Sequence, residues 1–155
     1  MSSYFLQVAD SIVTELNAAP AGTFTRELGS VQGIFDPHRD LPEIADLRVD
    51  VVIGDRKSQP LSRVSKRNLL RVDIAFRQHI SGEPESKAET EQLEGLVAVA
   101  EEVEAFFTNP PRRLQFADFA VWHETELIYP YLPSHLGGKR QFTSLLRLTY
   151  LVATK

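Results

Sequence analysis

The sequence predicts an α+β domain, a mixed or antiparallel sheet of about five strands with two helices packed on one face, in the order α-β-β-β-α-β-β. Three patterns predict it. Leu93, Leu96, Val97, Ala100, Val103 and Phe107 recur at the three-and-four spacing that gathers side chains on one helical face. Leu47, Val49, Val51 and Ile53 alternate with Arg48, Asp50 and Val52, and Leu70, Val72, Ile74 and Phe76 alternate with Arg71, Asp73 and Arg77, the period of strands that bury one face. Phe142, Leu146, Leu148, Tyr150 and Val152 repeat that period against Thr143, Arg147 and Thr149 at the end of the chain.

Taken in order, Ser2 or Ser3 caps a first helix in which Phe5, Val8, Ile12, Val13 and Leu16 share a face, and Pro20-Ala21-Gly22 ends it. Thr23 to Leu28 reads as a short strand. Gly29, Gly33 and the proline-punctuated run from Asp36 to Pro42 read as a loop. The strands at 47–53 and 70–76 form a long hairpin whose tip is the polar segment from Asp55 to Arg67. Ser81-Gly82-Glu83-Pro84 leads into the second helix, which starts at a capping box, Ser86 with Glu89, and stops at Asn109-Pro110-Pro111. A strand follows within Leu114 to Tyr129, which contains Phe116, Phe119, Val121 and Trp122. Pro130 to Arg140 is a loop before the last strand.

With 155 residues the chain is read as one domain, 1–155, long enough to close a core without disulfides or metals. It has no Cys, which excludes thiol catalysis, disulfides and cysteine-ligated metal centres. The start of the chain lacks the basic and apolar regions of a signal peptide, and no apolar stretch nears the ~20 residues of a membrane helix, so a soluble, cytoplasmic protein is expected. The net charge of −4 conceals an asymmetry: residues 1–111 carry eleven Lys/Arg against eighteen Asp/Glu, and residues 112–155 carry six against three. Charge divided in this way favours head-to-tail contact between copies.

Chemistry is scarce. His38, His79, His123 and His135 stand in no metal spacing, and Asp36-x-His38-x-Asp40 is confined by Pro37 and Pro42 with no second ligand pair. Gly137-Gly138-Lys139 lacks the first glycine and the Ser or Thr of a phosphate loop, and there is no Gly-x-Ser-x-Gly elbow. No enzyme and no cofactor are read from the chain. Two charged surfaces carry more information. Arg56, Lys57, Arg63, Lys66 and Arg67 face only Asp55 at the hairpin tip, without aromatic side chains for base stacking. Glu89, Glu91, Glu94, Glu101, Glu102 and Glu104 run along the polar face of the second helix, where the reading finds no basic partner for them.

Element order, length and several local stretches resemble the tail terminator proteins of long-tailed bacteriophages. The resemblance is carried by the opening helix that ends near Leu16-Asn17-Ala18-Ala19, the paired strands at 47–52 and 70–76, and the helix from Leu93 to Phe107. The closing segment adds to it, with Leu127-Ile128-Tyr129-Pro130 followed by Arg140 to Tyr150. It covers nearly the whole chain, but no short catalytic or binding signature anchors it. The resemblance implies a homo-oligomeric ring, usually of six copies, at the head-proximal end of the virion tail and assembled in the host cytoplasm. Such a ring caps the finished tube, stops its polymerisation and offers the surface to which the head connector or neck protein docks. Tail tube protein and connector are the implied partners, with DNA passing through the ring, no sequence-specific nucleic-acid recognition and no membrane.

From charge, the hairpin tip (Arg56, Lys57, Arg63, Lys66, Arg67), the acidic helix face (Glu94, Glu101, Glu102) and Lys139 with Arg140 in the late loop are the expected protein contacts. Two other readings stay open: a head-tail joining or neck protein of the same particle, and a small ligand-binding domain with Trp122, Tyr129, Tyr131 and Phe142 around a pocket.

Overall fold

The computed structural model describes residues 3–28, 31–34, 46–60 and 62–154, and within these only the backbone of residues 34, 137–139 and 154. It has the expected α+β architecture, with the elements α1 (Tyr4–Asn17), β1 (Gln32–Ile34), β2 (Arg48–Pro60), β3 (Lys66–His79), α2 (Lys87–Thr108), β4 (Val121–Tyr129), α3 (Pro133–Lys139) and β5 (Gln141–Thr154). The sheet order is β1-β2-β3-β5-β4, with β1 parallel to β2 and every other pair antiparallel.

The alternation in β3 decides where the helices sit. Leu70, Val72, Ile74 and Phe76 join one core cluster with Val49 and Val51 of β2, and with Phe142, Leu146, Leu148, Tyr150 and Val152 of β5. Val8, Ile12 and Leu16 of α1 and Leu96, Val99, Ala100, Val103 and Phe107 of α2 complete the same cluster. Only every second strand residue enters it, so both helices cover one face of the sheet. The other face mixes Leu69 and Ala75 with charged residues that stitch the strands: Arg147 of β5 donates to Asp73 of β3 at 2.8 Å, and Arg71 of β3 reaches Asp55 of β2 at 2.8 Å. The Asp73 hydrogen bond, which outweighs the cost of burial, raises the pKa of Arg147.

Both main helices start where their caps place them. Ser3 accepts from the Leu6 amide and Ser86 from the Glu89 amide. At α2 the capping box is half realised, because the Glu89 carboxylate turns to Arg140 at 2.6 Å. The helix ends at Thr108, and the Asn109–Pro110 peptide after it is cis.

Three elements differ from the sequence reading. Thr23 to Leu28 is not a strand: the Thr25 amide donates to Glu102 Oε2 at 2.8 Å and its hydroxyl to Oε1, while Phe24 packs edge-on against Phe106 and Leu28 is buried. This segment is a strap over α2, and the first strand is Gln32–Ile34. The loop after Tyr129 contains the short helix α3, with Pro133 in its first turn and Arg140 closing it at φ 52°. The polar segment after Gly54 continues β2 as far as Pro60, after a register shift between Ile53 and Arg56. Gly54 is required there, since a Cβ would lie 2.7 Å from the Arg71 carbonyl oxygen. The run from Asp36 to Pro42, with Asp36, His38 and Asp40, lies outside the described residues, as does Gly29.

Candidate interaction surfaces

The hairpin beyond the Gly54 bulge becomes an arm. Its ladder continues through Arg56↔Leu70, Ser58↔Asn68 and Pro60↔Lys66, and β5 backs it as far as Lys66↔Thr154. Asp55 to Ser58, Pro60, Arg63, Val64 and Lys66 are all exposed. Ser62 ties the turn: its amide donates to the Ser65 carbonyl at 3.1 Å, and its hydroxyl accepts from the amides of Val64 and Ser65 at 3.3 and 3.2 Å. A hydroxyl that satisfies its own turn in this way fixes the local backbone. The tip therefore holds Arg63 and Val64 outward on a defined frame, with Val64 76% exposed.

The five basic residues expected at the tip are not equivalent. Arg56 donates through Nε and Nη2 to Asn68 Oδ1 at 3.3 and 3.1 Å, an oxygen that also accepts from Ser58 at 2.7 Å. Arg67 donates to Gln59 Oε1 at 3.2 and 2.6 Å. These two arginines brace the arm. Lys57, Arg63 and Lys66 are exposed and have no partner among the described residues. Register places Lys57 and Arg67 on one face of the arm and Arg56 and Lys66 on the other, so the charge surrounds the tip without forming a flat patch.

The acidic helix divides in the same way. Glu89 is buried on Arg140, Glu102 holds Thr25, and Glu91 stands 3.9 Å from Lys87, so the face is not without basic partners as the sequence reading had it. Glu94 and Glu101 are exposed and have no partner among the described residues. Positions 94, 98 and 101 share one stripe of the helix, and Ala98 and Gly95 beside them are exposed too. A Cβ built on Gly95 meets nothing within 4 Å.

Arg140 is spent internally. It joins Glu89 at 2.6 Å and the Gly82 carbonyl at 3.2 Å, while its own carbonyl accepts from the Ile80 amide at 2.8 Å. It locks the entry of α2 to the start of β5. The side chain of Lys139 lies outside the described residues.

A further ion pair was not legible in the sequence, because its partners are far apart in the chain. Arg112 meets Glu15 at 2.9 Å, Glu15 also accepts from the Gln115 amide at 3.0 Å, and the Arg112 guanidinium lies 3.7 Å over the Phe106 ring. The Tyr150 hydroxyl donates to the Arg112 carbonyl at 3.1 Å, and burial of that hydroxyl raises its pKa strongly. An open cleft of about 470 Å³ beside this pair is lined by Glu15, Arg112, Arg113, Leu114, Gln115 and Asp118. Its main charges are already neutralised by one another.

The aromatic residues of the ligand-pocket reading are not brought together. Trp122 and Tyr129 lie at opposite ends of β4, Phe142 is 1% exposed in the core, and Tyr131 is 41% exposed. Among the described residues, no group of three or more His, Asp or Glu is placed to hold a metal ion, and no helix is long and apolar enough to cross a membrane.

No protein-family model and no curated protein matches the chain. Among solved structures it is similar to a cryo-EM structure described as the PVC sheath/tube terminator, in the extended state, of an extracellular contractile injection system, at 15% identity and a TM-score of 0.48. The match covers 100% of this chain and 58% of the other, so this chain spans little more than half of that neighbour's length. A likeness of this size transfers no residue roles.

Proposed function

We propose that this chain is a tail terminator of a long-tailed bacteriophage. In this reading it forms a ring, of six copies as the resembled family implies, on the head-proximal end of the tail tube. The ring stops tube growth and presents the surface to which the head connector docks. No bond is made or broken: one face of the ring matches the last tube ring, and the other does not accept a further one. The resemblance in element order and closing segment supports the reading across nearly the whole chain. The observation that carries it is the arm, a braced and projecting hairpin that ends in cations with no partner among the described residues, around an exposed valine. A tip built in this way adds nothing to its own core and is suited to contact with another subunit.

The test is negative-stain imaging of tube protein from the same source, polymerised with and without the purified chain. Shorter tubes with a ring at one end are the expected result. Uncapped tubes of unchanged length overturn it and favour the joining or neck role, for which the binding partner is the connector in place of the tube.

A further inference from the structure

We propose that the arm tip of one copy docks on the outer face of α2 of a second copy, with Val64 seated at Gly95 and Ala98 and with Arg63 and Lys66 beside Glu94 and Glu101. This deepens the terminator reading by naming its subunit contact, and rests on it only for the closure of such contacts into a ring. Several observations meet here. On the tip, an exposed apolar side chain is flanked by cations that no other described residue satisfies. On α2, small residues with open space above them are flanked by carboxylates that no other described residue satisfies. The two surfaces are opposite in charge, and the space above Gly95 is open.

The occupant is a second copy because tip and face belong to one chain yet are both exposed on it, so neither covers the other within the subunit. A polyanion is disfavoured by chemistry: the residue at the apex is an aliphatic valine, and the turn offers no aromatic ring for a base to stack upon. Two unlike patches on each copy make a heterologous contact, which propagates from subunit to subunit and closes when the rotation allows. The pinned Ser62 turn reduces the ordering cost of the tip on docking. Since the charges lie at an exposed rim, they act on encounter and orientation, and salt screens them over roughly 10 Å.

The absence of cysteine makes the contact directly readable. Two full-length variants, Val64→Cys and Ala98→Cys, are mixed under oxidising conditions, with one carrying a mass tag. The contact predicts a heterodisulfide that forms well ahead of either homodisulfide, since a disulfide needs Cα atoms within about 7 Å. Charge reversal at the tip (Arg63→Glu with Lys66→Glu) or on the helix (Glu94→Lys with Glu101→Lys) should slow this cross-link about ten-fold. Both reversals together should restore it. A cross-link no faster than the homodisulfide controls overturns the proposal, as does a rate indifferent to all the reversals. Because the readout is a covalent bond, it detects the contact even if copies meet only transiently. It is also independent of tube length: capping without this cross-link refutes the contact alone, and the cross-link without capping refutes the terminator reading alone.

Discussion

The body of the sheet and the arm use the same residue types for opposite purposes. In the body, three cations have fixed partners: Arg112 on Glu15, Arg140 on Glu89, Arg147 on Asp73. These pairs join elements far apart in the chain, and the carboxylate of Glu15 or Glu89 is only 9% exposed. In the arm, Arg56 and Arg67 brace the hairpin while Lys57, Arg63 and Lys66 point to solvent. Charge in the body fixes the fold. Charge at the tip is left available to a partner.

Substitutions can break this contrast, and the largest effect belongs to the body. Ile74 and Leu146 face each other across β3 and β5 and are 0% exposed, so Leu146→Ala should cost about 2–5 kcal/mol in chemical denaturation. Arg112→Ala should follow at roughly 2–3 kcal/mol, since it strands the Glu15 carboxylate and removes the stack on Phe106, a figure reduced because Arg112 is 34% exposed.

Tyr150 sharpens the contrast through pH. Its folded pKa lies above the ordinary value of 10.0, so the folded state favours the neutral phenol. That contribution is fully present below about pH 10 and is lost as pH rises further, because the unfolded chain then releases a proton the native state retains. Tyr150→Phe should cost about 1 kcal/mol at neutral pH through the lost bond to Arg112, and its stability should fall less steeply than that of the wild type above pH 10. The smallest expected effect on folding is at the tip: Arg63→Glu with Lys66→Glu should change monomer stability by no more than about 0.5 kcal/mol.

The fold was legible wherever burial imposes a period. Leu70 to Phe76 and Leu93 to Phe107 announce their elements because one side of each must enter the core. The outgoing strand of the arm carries no strand signal in the sequence because Asp55 to Ser58 are exposed in succession and show no apolar alternation, although Pro60 and the Ser62 turn mark its end. The strap at Thr23 to Leu28 has strand composition, but its backbone donor goes to Glu102, a tertiary choice that local pattern does not encode. α3 hid among prolines and glycines, with Pro133 at its first turn the sole local signal. For the candidate surfaces, the sequence identified the charge-rich stretches but not their spent members. Removing Arg56, Arg67, Glu102 and Arg140 from the free set required knowing that Asn68, Gln59, Thr25 and Glu89 stand beside them.

The central claim, that the tip acts in assembly and not in folding, is tested by one paired measurement on the wild type and the Arg63→Glu, Lys66→Glu variant. Unfolding curves and tube lengths are recorded from the same preparations. The account predicts superimposable unfolding within about 0.5 kcal/mol, with capped, shortened tubes for the wild type alone. Equal capping by both proteins, or a variant that fails to cap because it unfolds, would contradict it.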